Sequence, residues 1–146
     1  MGTVCIVTNA ETGWVELSAR KFVPKVLNYL HKVKIVSARS KFEPFFPKQL
    51  EKWKYEAFKE LFEDSFTHRG SSKRPCHVIS FGDSIYERNA LLDLVKQAPN
   101  AVYKSVKFVE RPSMYQLQKQ LDIVFNHMAD LCKTPDNVDL MLESDY

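Results

Sequence analysis

Three short stretches of this 146-residue chain carry the side chains best suited to chemistry. They are Thr8-Asn9-Ala10, Ser37-Ala38-Arg39-Ser40 and Gly82-Asp83-Ser84, the last followed by Glu87 one helical turn on. Hydroxyls and freed backbone N–H groups bind phosphate oxygens, whereas Asp and Glu hold a hard cation such as Mg²⁺ through oxygen ligands and retained waters. The residue types therefore suit a phosphate beside a divalent cation. Each also has a purely structural role open to it: Thr8 at a strand end, and Asp83 or Ser84 as a helix cap, since Asp and Ser satisfy free N–H groups anywhere.

Each stretch closes a short apolar run, which puts it at the carboxyl end of a strand, where open parallel sheets bind ligands. Thr3–Thr8 is continuous and β-branched, Lys34–Ala38 repeats the design and His77–Gly82 is the third run. The fourth, Ser105–Val109, alternates polar and apolar residues, which predicts an edge strand. Helical spacing fills the intervals. Trp14 to His31 reads as two helices broken near Phe22–Pro24, because proline cannot continue a helix without losing a hydrogen bond, and Pro24 falls in the first turn of the second. Pro47–Phe66 places Leu50, Trp53, Ala57, Leu61 and Phe62 on one stripe, and Ser84–Lys96 and Ser113–Lys133 follow, Pro135 stopping the last.

Alternating strands and helices predict an α/β fold, a three-layer Rossmann-like parallel sheet of about four strands with helices on both faces. Residues 1–135 read as one domain. The acidic tail 136–146 carries Val138, Leu140, Met141 and Leu142, and is expected to dock as a short helix or to be partly disordered. The basic loop Thr67–Pro75 reads as a solvated connection, with a partner-facing role or phosphorylation of Ser71 or Ser72 as the functional alternative.

Composition narrows the classes. At 45% hydrophobic residues the chain can bury one sizeable core, and 21 Lys+Arg against 18 Asp+Glu leaves no field strong enough to make nucleic acid the main partner. No run approaches the roughly 18 apolar residues of a membrane span, and the first residues lack a secretory leader, so no membrane partner and a cytoplasmic location are expected. Cys5, Cys76 and Cys132 have no CxxC spacing and read as reduced, mostly buried thiols. His31, His68, His77 and His127 show no ligand spacing, while Trp14 and Trp53 fall on apolar stripes that suit core or half-buried packing.

The segment Val78-Ile79-Ser80-Phe81-Gly82-Asp83-Ser84-Ile85-Tyr86-Glu87, preceded by a strand ending in Thr8 and by a lysine-bearing helix, resembles the haloacid dehalogenase (HAD) superfamily of Rossmann-like phosphohydrolases. The likeness runs roughly from Thr3 to Val109. It implies that Thr8, with Asn9 beside it, binds the phosphoryl group, that Lys52 or Lys54 stabilises its charge, and that Asp83 ligates Mg²⁺. Glu87 then stands as a supporting metal-site acid in place of the commoner aspartate.

The superfamily's nucleophile is an aspartate of an Asp-x-Asp motif, on a mid-sheet strand that precedes the threonine strand. It has no counterpart here: the first aspartate is Asp64, beside Glu63 on a charged helix face, where a solvated carboxylate is expected. Without a nucleophile no aspartyl-phosphate can form. The expectation is an HAD-like domain, inactive as this chain, that keeps a weak Mg²⁺ and phosphate site for a phosphorylated small molecule or protein. Completed upstream, such a chain would be a Mg²⁺-dependent phosphatase. The alternative is a non-catalytic regulatory domain that binds a protein or phosphorylated ligand. In the resembled fold the absent strand lies between the first and third strands seen here. Either those two pair directly or a partner supplies the strand, and since an open strand edge is sticky, self-association or strand complementation is expected.

Overall fold

The computed structural model describes residues 2–69, 74–98 and 100–143, with backbone alone at 67–69. It is mixed α/β, with six α-helices and two small parallel sheets among the described residues. The chain divides into two compact units, Met1–His68 and Arg69–Tyr146, each taken by itself below.

The first unit runs β1 (Cys5–Thr8), α1 (Trp14–Phe22), a 3₁₀ turn (Pro24–Val26), α2 (Leu27–Leu30), β2 (Lys34–Ser37), α3 (Ala38–Phe42) and α4 (Leu50–Arg69). The proline break falls where the sequence places it: Val23 N–H closes α1 on Ala19 O at 2.9 Å and Pro24 opens the 3₁₀ turn. β1 and β2 pair in parallel, Cys5 opposite Lys34 through to Thr8 opposite Ser37. Behind them Ala38, Phe42, Trp53 and Ala57 form a buried cluster, against which Val7, Val36 and Phe46 pack. The Trp53 indole N–H, which would be orphaned by burial, donates to Phe46 O at 2.6 Å.

Ser37 ends β2 as the sequence places it, and its Oγ accepts Ser40 N–H at 2.9 Å, so the same residue caps the short α3. Of the two tryptophans Trp53 is core and Trp14 is 55% exposed, α1 fully burying only Ala19.

The second unit runs β3 (Cys76–Gly82), α5 (Ile85–Val95), β4 (Ala101–Lys107), α6 (Met114–Lys133) and β5 (Val138–Met141). All pairs are parallel, in the order β3-β4-β5. The fourth run is therefore central and begins earlier than expected. Its alternation misleads because two polar side chains are buried. Lys104 is fully buried, its amine meeting His77 Nδ1 at 3.1 Å and donating to Cys132 O at 3.4 Å, and Ser105 beside it is 2% exposed. A lysine given acceptors in this way can occupy a sheet interior.

The tail likewise supplies a strand rather than a helix or a disordered end. Arg88 on α5 holds Asp139 with a fork of two hydrogen bonds, Nε to Oδ1 at 2.9 Å and Nη2 to Oδ2, and Asn137 Oδ1 accepts Tyr103 N–H at 3.0 Å. The bond to Asp139 raises the Arg88 guanidinium above its ordinary pKa, so its charge persists at every working pH. Replacing Arg88 by alanine is expected to cost about 1 kcal/mol, the range of a half-exposed bidentate pair. Hydrogen exchange at residues 138–142 should rise several-fold while β3 keeps its protection. Unchanged exchange there would mean that the fork does not anchor the strand.

Among the described residues β1 has β2 as its one strand partner and β3 has β4, so each keeps one edge without a neighbouring strand. No described helix is long and apolar enough to cross a membrane. The three thiols are free. Cys132 is exposed where a buried thiol was expected, and Cys5 and Cys76 are half-buried.

Candidate functional site

In the first unit the parallel register sets Thr8 directly opposite Ser37 at the carboxyl ends of β1 and β2. Thr8 Oγ1 accepts Ala10 N–H at 3.0 Å, a local turn that bends the chain out of the strand. Ser37 Oγ donates to Ala10 O at 2.6 Å, and Ser40 Oγ accepts Thr12 N–H at 3.0 Å. Asn9 Nδ2 donates to Leu50 O at 3.3 Å, while its Oδ1 is buried and finds no partner among the described residues. Four polar side chains thus shape the rim, and three of them pin the 9–12 loop to β2, α3 and the start of α4.

The structure separates the two candidate lysines. Two residues apart, they point about 200° apart around a helix. Lys54 faces inward: it is 3% exposed and its Nζ donates to Val7 O at 3.0 Å, one residue from Thr8. Lys52 pairs with Glu56 at 2.8 Å and lies over the Phe46 and Tyr55 rings at 5.3 and 5.0 Å. The burial of Lys54 follows from α4 packing its inner face against the end of β1. Arg39 directs Nε at Glu43 Oε2, 2.9 Å away, and that bond holds its guanidinium above the ordinary pKa. Asp64 is exposed and pairs with Lys34 at 2.9 Å. The rim therefore gathers Thr8, Asn9 and Lys54: a hydroxyl, an amide and an ammonium whose field is strengthened by exclusion of water.

In the second unit Asp83 is exposed just beyond β3. Ser84 Oγ accepts Tyr86 N–H at 3.0 Å and Glu87 Oε2 accepts Ser84 N–H at 3.1 Å, a reciprocal capping box that starts α5. A Cβ at residue 82 would lie 2.8 Å from Glu87 Cγ, so Gly82 is what lets the Glu87 side chain fold back to the cap. The Gly-Asp-Ser-x-x-Glu spacing thus meets a structural need of its own. As a Mg²⁺ site it offers the Asp83 carboxylate and a Glu87 already engaged with the backbone. No group of three or more His, Cys, Asp or Glu side chains is placed to hold a metal among the described residues. Ser84→Ala is expected to lower the stability of the second unit by about 1 kcal/mol. A melting temperature unchanged by that substitution would contradict the capping role.

Sequence reasoning missed the pinning role of Ser40 and the buried Lys104. It could have found both capping boxes, since Ser84-x-x-Glu87 and Ser113-x-x-Gln116 carry the signature; the second is formed by Ser113 Oγ and Gln116 N–H at 3.2 Å and by Gln116 Oε1 and Ser113 N–H at 2.8 Å. Ser71 and Ser72, the proposed phosphorylation positions, lie outside the described residues. Comparisons with protein-family models, with curated proteins and with solved structures found no match for this chain.

Proposed function

We propose that this chain is a domain related to the HAD-like phosphohydrolases that lacks the nucleophile, binds a phosphorylated small molecule or protein, and does not turn phosphate esters over by itself. The burial of Lys54 beside Thr8 is what supports this reading. The Lys54 ammonium donates to Val7 O at 3.0 Å, one residue from the Thr8 hydroxyl and the pinned loop, and in this proposal its positive charge at the strand end draws the oxyanion. Helices that cross between parallel strands and chemistry at the strands' carboxyl ends are what a three-layer Rossmann-like sheet requires. In this proposal Mg²⁺ is a weak ligand of Asp83 in the second unit, with Glu87 in support.

The open edges of β1 and β3 extend the reading to partners. Each has a single strand neighbour among the described residues, and in this proposal strand complementation or self-association completes the fold. A chain that stays monomeric at high concentration and takes up no strand would count against it. A second reading, a regulatory domain that binds phospholigands with no catalytic past or future, is favoured by the engagement of Glu87 in the α5 cap.

Hydrolysis of p-nitrophenyl phosphate with and without Mg²⁺ tests the proposal. No turnover above the Asp83→Asn control is expected. Slow Mg²⁺-dependent hydrolysis abolished by Asp83→Asn would overturn both the inactivity and the purely regulatory alternative.

A further inference from the structure

We infer that the corner where α1 turns into α2 docks on an anionic lipid surface, its apolar tips entering the headgroup layer and its cations meeting the negative charge there. The inference goes beyond the phosphate reading and uses neither Thr8 nor Lys54. Arg20–Val26 is an unbroken run of exposed residues within the first unit. Phe22 is 70% exposed in it, Val23 and Val26 stand out beside it, and Tyr29, one turn on, is 68% exposed. Large apolar side chains gathered on one exposed segment mark an interaction surface, whereas single ones scattered over a protein need no explanation.

Charge decides what that surface meets. Arg20, Lys21, Lys25 and Lys32 are exposed between and beside the apolar tips, and none of them pairs with a carboxylate among the described residues. Lys34, Arg39, Lys41 and Lys52 of the same unit each hold one. Lys21 instead lies over the Phe22 ring at 5.3 Å, which sets a cation directly against an apolar tip. From Trp14 to Val33 the one acid is Glu16, half-buried on the first turn of α1. Unpaired cations around exposed aromatic and branched side chains are the composition of a segment that lies in a membrane interface, where each Lys or Arg near an anionic leaflet adds to the binding. A run of exposed residues is also a ridge rather than a groove, and a ridge suits a soft, evenly negative surface.

The backbone of the corner is prepared for such a place. Groups that enter the interface lose water, so their N–H donors are best satisfied within the chain. Val23 N–H donates to Ala19 O at 2.9 Å, Pro24 has no N–H, Val26 N–H donates to Val23 O at 3.0 Å, and Leu27 N–H donates to Pro24 O. The proline that breaks the helix thus also removes a donor from the tip of the corner. Peripheral docking needs neither a span nor a leader, the two features on which the expectation of no membrane partner rested.

Flotation of the full chain with phosphatidylcholine vesicles, with and without phosphatidylserine, tests the inference. Saturable binding to the phosphatidylserine vesicles alone is expected, with hydrogen exchange slowed at residues 22–29. It should weaken between 0.1 M and 1 M salt, where the screening length falls from about 10 Å to about 3 Å. Lys21→Gln/Lys25→Gln should weaken binding at least about tenfold, at about fivefold for each cation. Phe22→Ser/Tyr29→Ser should do so at least about tenfold through lost apolar burial. All four side chains are exposed, so unchanged exchange in β1 and β2 shows that the variants are folded. Lys96→Gln/Lys133→Gln makes the same change of net charge in the second unit and should leave binding within twofold. No binding to the anionic vesicles overturns the inference. So does an equal loss from both lysine pairs, which would mark general attraction to a basic protein, and so does full binding by Phe22→Ser/Tyr29→Ser, which would leave the tips outside the membrane. Slowed exchange at 22–29 with an acidic amphipathic helical peptide, and none with vesicles, would give the corner to a protein partner and equally overturn it.

Discussion

Replacing Trp53 by alanine is expected to destabilise the first unit by about 3 to 5 kcal/mol, the range for deleting a buried aromatic side chain. Trp53 is 3% exposed and central to the cluster of Ala38, Phe42 and Ala57. Its loss removes the packing and one of two donors to Phe46 O, Gln49 N–H remaining at 3.2 Å. Ala38 and Ala57 are fully buried, so no flexible neighbour stands ready to fill the hole. Native proteins hold only about 5 to 15 kcal/mol in reserve, so amide protection in β1, β2, α3 and the first turns of α4 should collapse. Phosphate binding at the rim should vanish with it, because α4 is what carries Lys54. Chemical denaturation followed by fluorescence of Trp14, with hydrogen exchange to localise the loss, reads the effect. A change below about 1 kcal/mol would mean that the cluster is not the unit's core.

Lys54→Met should separate binding from stability. Methionine keeps the stem that packs on β1 and drops the ammonium, and exchange of a buried charged group for an apolar one of similar volume is often near neutral, so a stability change within about 1 kcal/mol is expected. Phosphate affinity should fall at least about tenfold, or 1.4 kcal/mol. Thr8→Val removes the acceptor of Ala10 N–H and should cost about 1 kcal/mol together with part of the binding. Lys52→Met, which breaks the exposed Glu56 pair, should leave phosphate affinity unchanged. Equal losses from Lys52→Met and Lys54→Met would show a diffuse positive surface rather than a placed ammonium.

The strand ends Thr8, Ser37 and Gly82 were legible because β-branched runs stop there at small or polar residues, and the helix break was legible because Pro24 has no N–H to donate. What stayed hidden depended on partners far away in sequence. Whether Lys52 or Lys54 faces inward is decided by which side of α4 meets Val7, 47 residues from Lys54. β4 is central because it pairs with β3 and β5, and its alternating polarity misleads because the Lys104 amine is buried against His77 Nδ1 and Cys132 O. β5 is four residues with one acid, and nothing local makes it a strand; Arg88, 51 positions earlier, does. The candidate site was half legible for a related reason. Hydroxyls and acids announce themselves by type, yet Ser84-x-x-Glu87 carries both a metal-site and a capping meaning, and only the fold-back of Glu87 over Gly82 shows the cap in place.

The most direct measurement is a backbone-amide NMR titration of the chain with inorganic phosphate, without Mg²⁺, repeated on Lys54→Met. The account requires saturable shifts at Asn9–Thr12 and Ser40 with a Kd of about 1 mM or tighter, about −4 kcal/mol, and their loss in the variant. Shifts confined to other surface lysines and arginines, or rim shifts that persist in Lys54→Met, would contradict it.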